Sequence, residues 1–347
     1  MKIVIVTDAW EPQVNGVVRT LGKTRDYLQS FGHEVCMVTP QDFRTIPCPS
    51  YPSIRLALFP YRSIKRVLGE FNANAIHIAT EGPLGQAARR WCLRHNVHFT
   101  TSYHTQFPEY VRLRAPIPLS WSYAFLRRFH KPAVRTLVPT ASQKQRLIER
   151  GFESVEVWGR GVDTTIFKAD NPIPLDLPRP IFVNMGRVAV EKNIEAFLDL
   201  DLPGSKLVIG EGPDLAMLQK RYPTVTFAGV KFGEELASYL AACDVFVFPS
   251  KTDTFGLVIL EAMACGLPVA AYPVTGPVDI IENGSTGIVN NDLEVAARQA
   301  LALNKADCVH YASLNSWTAC SRVFESMMFN NTAQTRDTVS ARSMGQN

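Results

Sequence analysis

Two doubly wound α/β domains in tandem are what this sequence predicts. Three observations carry that prediction. Short apolar runs of strand length alternate with helical patterns along most of the chain. Glycines gather where those runs end. A proline-rich segment interrupts the alternation once, and the alternation then restarts. Buried strands separated by helices give a parallel sheet covered on both faces, and 347 residues are comfortable for two such sheets.

The opening KIVIVTD is an apolar strand that ends in the polar turn EPQVNG. The helical pattern VVRTLGKTRDYLQSFG follows, with Gly32 as its stop, and HEVCMVTP is the second strand. AIHIAT, HFTTSYH and TLVPT continue the series, separated by helical stretches such as LGQAARRWCLRH and SQKQRLIERG. Residues 167–180, FKADNPIPLDLPRP, hold four prolines and neither periodicity, which makes them a linker candidate. Beyond them PIFVNMG, KLVIGEG, TVTFAG, DVFVFPS and PVAAYP read as strands. NIEAFLDL, EELASYLAAC and FGLVILEAMACG read as the helices between. The expected division is residues 1–170 and 171–310. The tail 331–347 has almost no bulky apolar residue and is expected to stay unfolded.

Composition excludes several classes. The seven cysteines are scattered and include no C-x-x-C pair, which argues against a disulfide framework or a zinc site and for a reducing cytoplasm. The apolar part of MKIVIVTD is too short for a secretory signal, and nowhere do enough apolar residues run together to span a bilayer. The Asn-x-Ser/Thr triplets at Asn283 and Asn330 are then chance. Residues 1–170 carry 23 Lys and Arg against 13 Asp and Glu, whereas residues 171–347 carry 13 against 19. A basic first half suits an anionic surface or substrate, although drift in surface composition gives the same split.

In doubly wound sheets, ligands bind beyond the carboxyl ends of the strands. Arg187 follows PIFVNMG, with Lys192 five residues on, a natural clamp for a diphosphate. Gly210-Glu211-Gly212-Pro213, Gly229-Val230 and Pro249-Ser250 close the next strands. Asn15-Gly16 and His104 hold matching places in the first half. Asp253 and Glu261 stand eight positions apart, the second within an apolar run where an unpartnered carboxylate is costly. Neither a Walker sequence nor G-x-G-x-x-G occurs, which disfavours a P-loop NTPase or a nicotinamide enzyme.

This array resembles glycosyltransferase family four. The resemblance runs through GR-x4-K (186–192), GEGP (210–213), FAGV (227–230), DVFVFPS (244–250) and D-x-FGLVILEAMACGLPV (253–269). NGV after the first strand, GHEV at 32–35, YHTQFPEYV and RGVD at 160–163 agree with it, so it covers about residues 1–325. It implies a GT-B fold: two Rossmann-like domains facing across a cleft, the first binding acceptor and the second a nucleotide sugar. A final helix within 311–330 would cross back to the first domain.

The same resemblance implies a retaining hexosyltransferase without metal or other cofactor. Arg187 and Lys192 would grip the diphosphate and stabilise its charge as it leaves. Asp253, in the place of a family glutamate, would lie near the sugar, and Glu261 would hold ribose hydroxyls. Phe255, Gly256 and Leu257 would offer backbone N–H groups at a helix start. Val230 would lie at the base, Gly16 would touch phosphate or sugar, and His104 would stand near the anomeric carbon. A core histidine capping a strand is the alternative reading of His104.

Residues 112–135 interleave six basic side chains with aromatics, among them Trp121, Phe125, Arg127, Arg128 and Lys131. Such a helix suits an anionic membrane interface, or else has one core face and a solvated basic rim. Together with YHTQFPEYV and TDTFG, which resemble the lipid-glycosylating subgroup, it points to a lipid acceptor such as diacylglycerol or a phosphoinositide-like lipid. The expectation is a cytoplasmic, peripheral enzyme at the inner membrane face, with no nucleic-acid partner. A soluble acceptor, or a binding module without catalysis, are the competing readings.

Overall fold

The computed structural model describes residues 1–13, 15–48, 51–104, 108–109, 112, 118–253 and 255–331. The chain divides into two compact units, Met1–Gly159 with the segment from Cys320 onward, and Arg160–Ala319.

The first unit holds β1 (Lys2–Val6), β2 (Glu34–Val38), an antiparallel pair β3 (Thr45–Cys48) and β4 (Tyr51–Ala57), then β5 (Ala75–Ile78), β6 (Thr100–Ser102), β7 (Arg135–Val138) and β8 (Val155–Val157). Its main sheet is parallel, in the order β2-β1-β5-β6-β7-β8. Helices α1 (Gly16–Ser30), α2 (Tyr61–Phe71), α3 (Pro83–Arg94), α4 (Leu119–His130) and α5 (Ala141–Glu149) connect the strands. Ile3, Val4, Ile5 and Val6 are wholly buried, as a strand covered on both faces requires. Val4, Val6, Ile76 and Ile78 turn one way and pack with Ile64, Leu68, Leu84 and Trp91. Gly32 does stop α1, at φ +86.

The second unit repeats the plan. Its strands are β9 (Ile181–Met185), β10 (Ser205–Ile209), β11 (Thr226–Phe227), β12 (Val245–Phe248), β13 (Val269–Ala271) and β14 (Gly287–Val289). They pair in parallel in the order β11-β10-β9-β12-β13-β14. Between them run α6 (Glu195–Leu198), α7 (Leu215–Arg221), α8 (Gly233–Ala241), α9 (Leu257–Ala264) and α10 (Pro277–Ile280), and after β14 come α11 (Leu293–Ala300) and α12 (Lys305–Leu314). Alternate strand residues supply two cores. Val183, Leu207, Phe246 and Val269 pack with α8, α9 and α12, while Phe182, Val208, Val245 and Ala270 pack with α6, α7 and α11. Each such valine, leucine or phenylalanine, fully buried, contributes about 1.5–3 kcal/mol.

The chain passes between units at Gly159–Arg160 and at Ala319–Cys320, not within the proline-rich segment. Residues 167–180 lie wholly in the second unit, because their apolar side chains find its core. Phe167 is buried there, Leu175 and Leu177 pack beside it, and the Ile173 N–H donates to Ser238 O (3.1 Å). After α12 the helix breaks at Asn315 and resumes as α13 (Trp317–Met327). Phe324 of α13 is wholly buried in the first unit, 4.6 Å from the Trp158 ring and 4.9 Å from that of His77. The expected tail lies, from residue 332, outside the described residues.

Candidate active site

The second sheet reverses its strand order between β9 and β12, and a reversal of this kind is where such sheets bind ligands. Most of the expected residues sit on the loops leaving those two strands. After β9 the backbone turns through Gly186, which packs against the neighbouring loop at Gly210. A Cβ on Gly210 (φ +144) would stand 1.9 Å from the Gly186 carbonyl oxygen, so only glycine permits the approach. The Val188 N–H donates to Glu211 O at 2.8 Å, fixing the start of the basic loop.

Lys192 ends a short 3₁₀ turn, Val190–Lys192, and its Nζ donates to Asp253 Oδ1 at 2.6 Å. The other Asp253 oxygen is buried and accepts no hydrogen bond among the described residues. Two further bonds tie these loops together: Asn193 Nδ2 to Pro249 O (3.0 Å) and the Thr252 hydroxyl to Glu191 O (3.2 Å). Arg187 is half-exposed, its Nη1 3.7 Å from Glu191 Oε1. The arrangement therefore sets two cations and a carboxylate with an unused oxygen at one strand-order reversal. The charge is right for a diphosphate and the carboxylate for hydroxyls.

Helix α9 starts just beyond. Its N-cap, Gly256, stands at φ +91, and no described side chain caps it, which leaves first-turn N–H groups for an anion or a sugar oxygen. Glu261 lies on the same helix, 3% exposed, among Ile259, Leu260, Ala262 and Met263. Phe255 is partly buried against the core. Val230 follows β11, exposed, beyond Gly229 at φ +70.

Gly16 and His104 belong to the first unit. Gly16 opens α1, where the Asn15 side chain accepts from the N–H groups of Val17 and Val18, each at 3.0 Å. His104 follows β6, is nearly buried, and meets the Trp158 ring edge-on at 5.9 Å. On α4, Ser122, Tyr123, Leu126, Phe129 and His130 are buried, while Trp121, Phe125, Arg127 and Arg128 are exposed, with Lys131 just beyond. Trp121 is 72% exposed, far more than a core-facing aromatic would be. Thr254, Arg114 and parts of YHTQFPEYV lie outside the described residues.

Sequence reasoning missed the pairing of Lys192 with Asp253, which sit 61 positions apart, and the stitching by Asn193 and Thr252. It also missed Asp8, buried at the end of β1, where an acid closing an apolar strand was the available signal. Among the described residues no group of three or more His, Cys, Asp or Glu is placed to hold a metal ion. No described helix is long and apolar enough to cross a membrane.

Fold and site together define a glycosyltransferase of the GT-B class. Two solved structures share the fold: Anabaena HepE in complex with UDP and glucose, at TM-score 0.66 and 16% identity, over 94% of this chain and 98% of that one; and sucrose-phosphate synthase from Thermosynechococcus elongatus, at TM-score 0.69 and 21% identity, over 98% and 99%. The family description "Glycosyltransferase Family 4" matches residues 14–166, and "Glycosyl transferases group 1" matches residues 179–306. The GDP-mannose-dependent alpha-mannosyltransferase of Mycobacterium tuberculosis is 30% identical over 316 residues, 83% of each chain. Sulfoquinovosyl transferase SQD2 of Arabidopsis thaliana is 33% identical over 78% of this chain and 59% of its own. Alpha-monoglucosyldiacylglycerol synthase of Streptococcus pneumoniae is 26% identical over 78% and 71%. The chain belongs to glycosyltransferase family 4 and is a hexosyltransferase that uses a nucleotide sugar.

Proposed function

We propose that this enzyme transfers a hexosyl unit, with retention, from a nucleotide-diphosphate sugar to a membrane lipid, and that GDP-mannose is the first donor to test. The observation that carries the donor half is the Lys192–Asp253 pair at the strand-order reversal, beside Arg187 and the uncapped start of α9. In this reading the diphosphate takes Lys192 and Arg187, which supply the charge a metal would otherwise bring. Asp253 then leaves its lysine and accepts sugar hydroxyls with both oxygens. Glu261 takes ribose hydroxyls, and Phe255, Gly256 and Leu257 offer backbone N–H groups. Val230 lies at the base, and Gly16 and His104 keep the roles that the family resemblance gives them.

The acceptor half rests on α4. Its exposed Trp121 and Phe125 stand beside Arg127, Arg128 and Lys131, the combination an anionic interface attracts. The names of the mannosyltransferase and the diacylglycerol synthase among the relatives support a GDP-sugar and a lipid respectively. The enzyme is then peripheral, held at an anionic membrane face, and needs no cofactor beyond the donor.

A thermal-shift panel of GDP, UDP and their sugars tests the donor assignment. A ligand at 100 times its Kd adds about 2.7 kcal/mol, and one of the two nucleotide series should raise the melting temperature. If neither does, the assignment fails.

A further inference from the structure

A polar cluster at the carboxyl ends of β5, β6 and β7 takes no part in the donor site. Glu81 lies just beyond β5, Tyr103 follows β6, and Gln143 sits in the first turn of α5, the helix after β7. Tyr103 and Gln143 are wholly buried, yet the Tyr103 hydroxyl and both amide atoms of Gln143 make no hydrogen bond among the described residues. Glu109 belongs to the same place. Its Oε1 accepts from the Tyr123 hydroxyl (2.7 Å) and from Arg146 (2.5 Å), while its buried Oε2 accepts nothing among the described residues. The Arg150 guanidinium lies 4.2 Å over the Tyr123 ring, its Nε buried and without a hydrogen bond among the described residues.

The groups on α5 share one face for a reason in the sequence. Gln143, Arg146, Leu147 and Arg150 follow the i, i+3, i+4, i+7 spacing of one helix face. Leu147 packs in the same apolar cluster as Tyr103 and Tyr123, so α5 turns that face toward both tyrosines. Burial, then the Tyr123 phenol and the carboxylates of Glu109 and Glu81, raise the pKa of Tyr103. Buried polar groups left without partners cost stability, and several in one place call for a water, an ion or a ligand to satisfy them.

We propose that this cluster binds the acceptor, and that it takes neighbouring hydroxyls of a sugar or polyol headgroup. The chemistry selects that class. Glu109 Oε2 only accepts, Arg150 Nε only donates, and the amide and the phenol do both. Hydroxyls both donate and accept, so neighbouring hydroxyls can answer all of them. A phosphate at the centre would meet a carboxylate and an amide oxygen, and an acyl chain would satisfy nothing. The position agrees, since three successive strands of one parallel sheet place Glu81, Tyr103 and Gln143 beyond their carboxyl ends. The inference rests on the lipid-glycosylating reading and sharpens it: plain diacylglycerol, with one hydroxyl, cannot fill the cluster.

The test uses the full chain with vesicles of one anionic lipid doped with dioleoylglycerol, with monohexosyl-dioleoylglycerol or with phosphatidylinositol. One of the two polyol-headed lipids should exceed dioleoylglycerol at least tenfold in kcat/KM. Tyr103→Phe and Gln143→Leu should each raise the KM for that lipid about tenfold. Donor KM should stay unchanged, and the melting temperature should hold or rise, because the removed groups accept and donate no hydrogen bond among the described residues. Unchanged acceptor KM in both variants, or equal use of dioleoylglycerol by the parent, overturns the inference. So does a fall in melting temperature in both, which would make the groups structural. Nucleotide stabilisation, measured separately, reports on the donor site alone and keeps the two readings apart.

Discussion

At Lys192 the ammonium group sits 2.6 Å from Asp253 Oδ1 and about a third exposed, so a diphosphate can reach it without unfolding anything. Removing a charged group that stabilises the leaving diphosphate costs on the order of 10²-fold or more in turnover. Lys192→Ala and Arg187→Ala should each show that loss in steady-state assays, and near-normal rates in both would contradict the assignment. Asp8 makes a different prediction. Its carboxylate accepts from Leu84 N–H (2.8 Å), Gly85 N–H (3.3 Å) and the Thr80 hydroxyl (2.8 Å), yet burial outweighs these bonds and pushes its pKa up to about 6. The folded protein thus holds this proton more tightly than the unfolded chain does. The stability it brings is complete below the ordinary value of 3.8 and is lost as pH rises through about 6, on the order of 2–3 kcal/mol in all. Asp8→Asn should abolish that share of the slope in urea melts between pH 4 and 6; an unchanged slope would show that Asp8 does not titrate there. Asp253 and Glu261 were legible because a long motif surrounds them. The partners of Asp8 and Lys192 were not, since contacts across 60 to 80 positions leave no local pattern.

Among the elements, the strands of both parallel sheets were the easiest to read, because strands buried on both faces are plain apolar runs. Strands β3 and β4 escaped: their sequence, TIPC against YPSIRLA, carries prolines and polar residues, and they pair outside the main sheet. Residues 167–180 misled as a linker because prolines signal irregular backbone but not which core it lies on. On α4, the spacing of Trp121, Phe125 and Arg128 (i, i+4, i+7) puts them on one exposed stripe, as an interfacial helix requires. Arg127 is tethered to Arg150 O at 2.7 Å and so serves packing as well. The double variant Arg128→Glu with Lys131→Glu leaves that tether intact. It should weaken sedimentation with anionic vesicles at least tenfold, since each basic group near the surface contributes about 1 kcal/mol. Nucleotide stabilisation should persist. Sedimentation equal to the parent's would make α4 an ordinary amphipathic helix with a charged rim.

For the whole molecule, the two-sheet plan and the family were both legible, the first from alternation and the second from residues 186–269. Donor and acceptor identity were not, because they depend on which few polar groups meet across distant loops. The charge split does follow the architecture: the excess of Lys and Arg falls in residues 1–170, which include α4 and most of the first unit. That placement suits one unit that meets an anionic surface and another that binds a diphosphate with two cations of its own. Transfer of labelled mannose from GDP-mannose, run beside glucose from UDP-glucose, with and without anionic vesicles carrying the acceptor lipids, tests this most directly. Label from one donor should enter the organic phase only when vesicles are present, and less as salt rises. Label appearing instead in water-soluble saccharides, at a rate indifferent to vesicles and salt, would contradict a lipid glycosyltransferase.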